Sequence, residues 1–183
     1  MRSKQQGLAM VVVLVVLTIT LLAGMGVLRA VQTGNAMAGN FSFRQVALQA
    51  SDRAVSDALG EIANRIADGA GNTPVANRYM PVAEGAVNAM GIPASIDWTS
   101  VPCTDQKGAV QADCAVDNGS FRVQYVVERR CSANPDLASI EQIRASCEHE
   151  PRASSTSAAT IALRYRVLVR VRGPRGTESW FEA

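Results

Sequence analysis

The residues best equipped for covalent or metal chemistry in this 183-residue chain are four cysteines, Cys103, Cys114, Cys131 and Cys147, and one histidine, His149. His149 stands in the sequence CEHEP, close to Cys147 and between Glu148 and Glu150. A Cys–His nucleophile needs such a pair, but only if the thiol is free. No two cysteines form C-x-x-C, and a single histidine supplies no recognisable zinc spacing. Neither a G-x-S-x-G elbow nor a phosphate-binding G-x-x-x-x-G-K-[ST] loop is present. The chain is therefore not expected to be an enzyme, and it carries no pattern for a cofactor or a metal.

An even number of cysteines in an exported segment reads instead as two structural disulfides formed in an oxidising compartment. Four cysteines allow three connectivities. Sequential pairing, Cys103 with Cys114 and Cys131 with Cys147, is the one we expect. The second bridge would close a loop of about fifteen residues, worth about 3 kcal/mol in the chain-entropy picture.

A second group with chemical potential is Arg164, Arg166, Arg170 and Arg172, which alternate with Ile161, Leu163, Tyr165, Val167, Val169 and Val171 along a strand pattern. Such a ladder of guanidinium groups suits phosphate, an acidic polymer or a neighbouring subunit. The reading we favour is plainer: a solvated sheet face balanced by acids on the adjacent strand, Glu178 and Glu182. Global charge gives the ladder no support as a nucleic-acid surface. Arg2 and Lys4 account for two of the 18 basic residues, so after Gly7 basic and acidic residues balance at 16 each. Aromatic content of 5% also argues against a base-stacking platform.

Export is decided at the N-terminus. Leu8 to Leu28 is an uninterrupted run of about twenty-one uncharged residues, long enough at about 1.5 Å per residue to cross a hydrocarbon core of about 30 Å. Its apolar residues leave no polar face, so every side of the helix requires an apolar neighbour. Arg2 and Lys4 precede it without an acid, which holds the N-terminus in the cytoplasm and sends the remainder across. A secretory signal places its small residues after the apolar core. Here Gly7 comes before it, the arrangement of a prepilin leader cut on the cytoplasmic side between Gly7 and Leu8.

From Phe41 the pattern turns amphipathic. Leu48, Val55, Leu59, Ile62 and Ile66 fall on one helical face, which we expect to be the packing face, beside the small residues Ala47, Ala50, Ala54, Ala58 and Ala63. Glu61 and Arg65 stand in the favourable i, i+4 order. The helix is expected to stop near Asp68, before Gly69 and Gly71. The intervening segment from Arg29 to Asn40, with Gly34 and Gly39, reads as soft: helical, kinked or locally melted.

The leader ending at Gly7, the apolar helix, the element MAGN at Met37–Asn40 and the stretch RQVALQASDRAV at Arg44–Val55 together resemble the N-terminal module of PilX-type minor pilins of type IV pili. The resemblance covers about the first sixty residues, roughly a third of the chain. It implies an α+β pilin fold: a long N-terminal helix, membrane-spanning in its first half and amphipathic in its second, packed on an antiparallel β-sheet. It further implies a leader at 1–7, a membrane and pilus-core helix at 8–28 with Val12, Leu14, Leu17 and Leu21 among its packing residues, a continuing helix at 29–68, and a periplasmic head at 69–183. Leu8 would become the mature N-terminus, commonly N-methylated in this family.

The implied function is pilus assembly as a priming or tip-proximal subunit, exchanging lipid for pilin–pilin helix contacts. The implied partners are other minor pilins, the major pilin, the prepilin peptidase and, before assembly, inner-membrane lipid. One position departs from major pilins. Val12 stands where they carry a glutamate that pairs with the neighbouring terminal amine, and its absence suits a minor pilin better than a shaft subunit. The alternatives are a minor pseudopilin of type II secretion, or a signal-anchored periplasmic binding protein whose disulfide loops recognise a ligand.

For the head, Pro74, Pro81, Pro93, Gly85 and Gly91 predict loops from Ala70 to Ser100, with one short helix over Val82–Met90 and a strand start at Ile96 and Trp98. Trp98 reads as a core anchor. Alternation from Phe121 to Glu128 predicts a half-buried strand, and Leu137–Ser146 a short helix. After the loose stretch RASSTSA, the strand from Ile161 turns at Gly173–Gly176 and returns over Thr177–Glu182 as a C-terminal hairpin.

Overall fold

The computed structural model describes residues 5–115, 119–150 and 161–183. RASSTSA and the start of the leader lie outside these residues. The chain divides into two units, Met1–Arg44 and Gln45–Ala183, and helix α1, Gln5–Ala67, contributes to both. The glycines from Gly24 to Gly39 do not interrupt it, so the soft segment at 29–40 is helical. Three threonines that could expose unmet hydroxyls bond to carbonyls of their own helix: Thr18 to Val15, Thr20 to Val16 and Leu17, and Thr33 to Arg29. That back-bonding leaves the run Leu8–Leu28 without a side-chain hydroxyl demand on an apolar surrounding. At the other end, Gly69 takes a left-handed φ of 68° and the Ala70 amide bonds to the Arg65 carbonyl at 2.9 Å, stopping the helix close to the expected place.

In the second unit, six strands form one sheet: β1 (Tyr79–Met80), β2 (Cys103–Thr104), β3 (Val110–Gln111), β4 (Arg122–Arg129), β5 (Tyr165–Arg172) and β6 (Glu178–Glu182). The order is β3-β2-β4-β5-β6, with antiparallel neighbours, and β1 joins β4 in parallel on the side that β2 also uses. Together with α1 this is an α+β architecture, a long N-terminal helix against an antiparallel sheet, consistent with a pilin-like fold. The hairpin from β5 through Pro174–Gly176 to β6 matches the pattern read from alternation, although β5 begins at Tyr165; Leu163 makes only an isolated bridge to His149. Helix α2 covers Ile140–Ser146 and is capped by Ser139, whose hydroxyl accepts from the Gln142 amide.

One face of the sheet meets the second half of α1, but not through the expected row. Ala47, Ala50, Ser51, Ala54, Ala58 and Ile62 are buried, whereas Leu48, Leu59 and Ile66 are 53%, 58% and 60% exposed. Of the larger apolar residues, only Ile62 is fully packed. The reason is steric: alanines let the helix backbone approach the sheet closely, where leucines at those positions would hold it away. Glu61 pairs with Arg65 at 3.6 Å, as the i, i+4 spacing requires, and with Arg78 at 3.0 Å, whose guanidinium lies 3.4 Å from the centre of the Tyr125 ring. The β2–β3 turn also docks on the helix. Gly108, at φ 87°, lies so close to the Arg53 guanidinium that an added Cβ would overlap it.

The opposite face is covered as well, by the irregular layer from Pro81 to Val101. Neither the helix expected at Val82–Met90 nor a strand at Ile96–Trp98 forms. Asp97 instead organises a turn by accepting from Thr99 and Ser100, bonds that hold its carboxyl below the usual range. This layer is tied to β4 from several points: the Glu84 amide donates to Glu128, and the Gln124 amide group donates to the Trp98 and Val101 carbonyls at 2.8 and 2.7 Å. Covered on both faces, all eight residues of β4 are buried, which corrects the half-buried strand expected there.

Candidate functional site

The two disulfides are Cys103–Cys114 and Cys131–Cys147, the sequential pairing. The first spans the β2–β3 hairpin. The second ties the end of β4 to the end of α2, and its sulfurs pack with Ile143, Ile161 and Leu163. His149 places Nδ1 3.0 Å from the Cys147 carbonyl oxygen and bridges Leu163 through its backbone. Among the described residues no group of three or more His, Cys, Asp or Glu side chains is placed to hold a metal ion.

On α1, Gly7 and Leu8 lie in the first turns of the helix. Val12, Leu14, Leu17 and Leu21 are 51–59% exposed, and so are their neighbours on every side. At about 100° per residue Leu14, Leu17 and Leu21 share one arc of the helix, while Val12 stands roughly opposite. The four thus mark a helix that is apolar all round rather than a single seam. It is long and apolar enough to cross a membrane once.

The arginine ladder lies on the sheet face beneath the irregular layer, and it is not a solvated face. Arg166 pairs with Glu182 at 2.8 Å, and Arg170 with Glu178 at 2.6 Å, so the expected balancing acids do their part. Glu178 also accepts from the Trp180 indole, and Trp180 meets Trp98 edge to face at 4.8 Å. Trp98 is therefore half-buried against a second aromatic rather than a core anchor. Arg172 donates to the Cys114 carbonyl at 3.4 Å. Arg164 is exposed, and among the described residues no carboxylate stands within ion-pair distance of it.

Sequence reasoning missed the acid at the centre of this face. Glu128 is fully buried on β4, accepts from the Glu84 amide at 2.8 Å and faces Arg130 at 3.4 Å and Arg166 at 3.7 Å. Glu148, near the second disulfide, completes the Arg130 pairing at 3.0 Å and holds that guanidinium protonated more firmly than usual. Above Glu128 the irregular layer leaves a cleft of about 660 Å³, lined by Glu84, Arg130, Glu148, Arg164, Arg166 and Glu182. Acids and arginines are equal in number in this lining, and among the described residues Arg164 is the arginine there with no acid within ion-pair distance.

On the helix side of the same strands lies a tyrosine cluster. Tyr79 donates to the Gly71 carbonyl at 2.7 Å, while the Arg65 guanidinium lies 4.6 Å from the Tyr79 ring centre. Burial pushes Tyr79 and Tyr125 up to about 12 and raises Tyr165. These are all three tyrosines in the chain. Each stabilises the fold while neutral. Because the folded values lie above the unfolded value of about 10, that contribution is complete below about pH 10 and disappears as pH rises toward 12. Alkaline titration should therefore show no tyrosinate absorbance near pH 10 (about the free value) and then a late rise coincident with loss of tryptophan fluorescence structure.

Comparison with known protein families, with characterised proteins and with solved structures returned no match.

Proposed function

We propose that this chain is a minor pilin that takes part in type IV pilus assembly as a priming or tip-proximal subunit. The observation that carries the reading is the division of labour along α1. One continuous helix is apolar and exposed all round over Leu8–Leu28, yet packs on a sheet through an alanine row over Ala47–Ile62. A helix built this way has a first half that can leave lipid for other apolar helices without disturbing the folded head. Mechanism is then packing rather than covalent chemistry. Leader removal between Gly7 and Leu8 frees the helix end, and Val12 in place of an acid suits a position that needs no amine partner on one side. The finer features of the resemblance, Met37–Asn40 and Arg44–Val55, favour pili over type II secretion.

On this reading the protein is stored in the bacterial inner membrane with its head in the periplasm, where the disulfides form, and enters the fibre with other pilins. The test is the intact mass of the membrane-extracted protein from cells with and without prepilin peptidase. Loss of residues 1–7 only when the peptidase is present is the expected result. A leader retained in both strains overturns the proposal and leaves an anchored periplasmic domain.

A further inference from the structure

The apolar run Leu8–Leu28 ends directly on an arginine, and α1 continues through it without a break. The Arg29 Cα lies about 31 Å along the helix axis from that of Leu8, at about 1.5 Å per residue. A hydrocarbon core is about 30 Å thick. With the run inside that core, Arg29 stands at its boundary, where lipid phosphates begin. The other cation of this unit, Arg44, lies about 22 Å further along the axis, beyond a headgroup layer of about 6 Å.

The helix does not answer the Arg29 charge. From Leu8 to Ser51 the only charged residues are Arg29 and Arg44, so no acid stands three or four residues away on either side. Arg29 is exposed, and among the described residues it belongs to no ion pair. Gln32 and Thr33, three and four residues on, share its face. The Thr33 hydroxyl donates to the Arg29 carbonyl at 3.0 Å and has no further proton to give. Gln32 is exposed and carries two amide N–H donors. The face at the end of the run thus offers a guanidinium fork and an amide, a positive charge and no carboxylate.

We propose that Arg29 and Gln32 form a binding site for the phosphate of an anionic phospholipid of the phosphatidylglycerol kind. A guanidinium pairs two parallel N–H groups with two phosphate oxygens, and its aliphatic stem lies along apolar surface while the head reaches the headgroups. The uncompensated charge selects a headgroup that is negative as a whole, because a zwitterionic one already neutralises its own phosphate. The contact fixes the depth of α1 in the bilayer and must be broken before the helix leaves lipid for other helices. The inference rests on the membrane-spanning part of the function proposed above and not on leader cleavage or pilus assembly.

The test is native mass spectrometry of the full chain, released from neutral detergent micelles that contain equal amounts of phosphatidylglycerol and phosphatidylcholine. Phosphatidylglycerol should be retained about fivefold over phosphatidylcholine. Arg29→Gln should bring the two lipids level, Arg29→Lys and Gln32→Leu should each lower the preference in part, and Arg44→Gln should leave it unchanged. These side chains are all exposed, so the variants should fold as the natural chain does. Excess inorganic phosphate should not displace the lipid, whose acyl chains also hold it. Equal retention of both lipids by the natural chain, or an undiminished preference in Arg29→Gln or Gln32→Leu, overturns the proposal. So does an equal loss in Arg44→Gln, which would mean unspecific charge attraction, or displacement by inorganic phosphate, which would mean a site for the free ion. Leader cleavage plays no part in this measurement, so its outcome is independent of the peptidase experiment.

Discussion

Replacing Arg129 by leucine should unfold the head or lower its midpoint by about 15 °C, the largest single effect expected in this protein. Arg129 lies at the end of β4 with no exposed surface, and among the described residues no carboxylate stands within ion-pair distance of it. Its charge is instead distributed over oxygen dipoles. Nε donates to the Pro81 carbonyl at 2.9 Å, Nη1 to the Gly71 carbonyl at 2.9 Å, and Nη2 to Asn72 at 2.8 Å and Asn134 at 3.1 Å. One side chain thus joins the loop after α1, the start of the irregular layer and the loop after Cys131. Leucine would leave these acceptors buried and unpaired, each costing about 1–3 kcal/mol, for a total of about 4 kcal/mol after partial relaxation.

Arg129→Lys should recover only part of this loss, because an ammonium lacks the planar fork that reaches three directions. Arg164→Gln, at an exposed side chain just before β5, is the control and should change stability by less than about 0.5 kcal/mol. Thermal unfolding, with urea unfolding for the free energies, followed by the fluorescence of Trp98 and Trp180, reports all three. A wild-type midpoint for Arg129→Leu would show that the oxygen cage is not what holds these loops.

Arg129 also shows where sequence reading stopped. The strand around it was legible, because alternation over Phe121–Glu128 is a local signal, and so were the hairpin at β5–β6, the helix end before Gly69 and the sequential disulfides. The irregular layer was not. Its order comes from bonds such as Glu84 to Glu128 and Trp98 to Gln124, made across 44 and 26 residues, which leave no period in the sequence. Without that layer, Gln124 and Glu128 read as the wet side of a half-buried strand, and Arg129 only as its end. The presence of polar residues on a strand with partners on both edges was the one available hint. The arginine ladder was legible in its spacing and in its acids Glu178 and Glu182, but its burial followed from the same unseen layer.

The helix face was misassigned for a different reason, and it sets the second large effect. Hydrophobic spacing identified two adjacent rows on α1, one of leucine and isoleucine and one of alanine, and size alone favoured the larger. The sheet takes the alanine row because its own residues, Val123, Tyr125, Val127 and Val169, already fill the interface and leave little depth. Ala58, with no exposed surface, should therefore tolerate no enlargement: Ala58→Leu is expected to cost about 3 kcal/mol through overpacking. Leu59→Ala, one residue away and 58% exposed, removes more apolar volume yet should cost less than about 0.5 kcal/mol in the isolated protein. A ranking by hydrophobicity alone gives the opposite order. Urea midpoints of the two variants in detergent decide between them, and a larger loss in Leu59→Ala would mean that the leucine row, not the alanine row, faces the sheet.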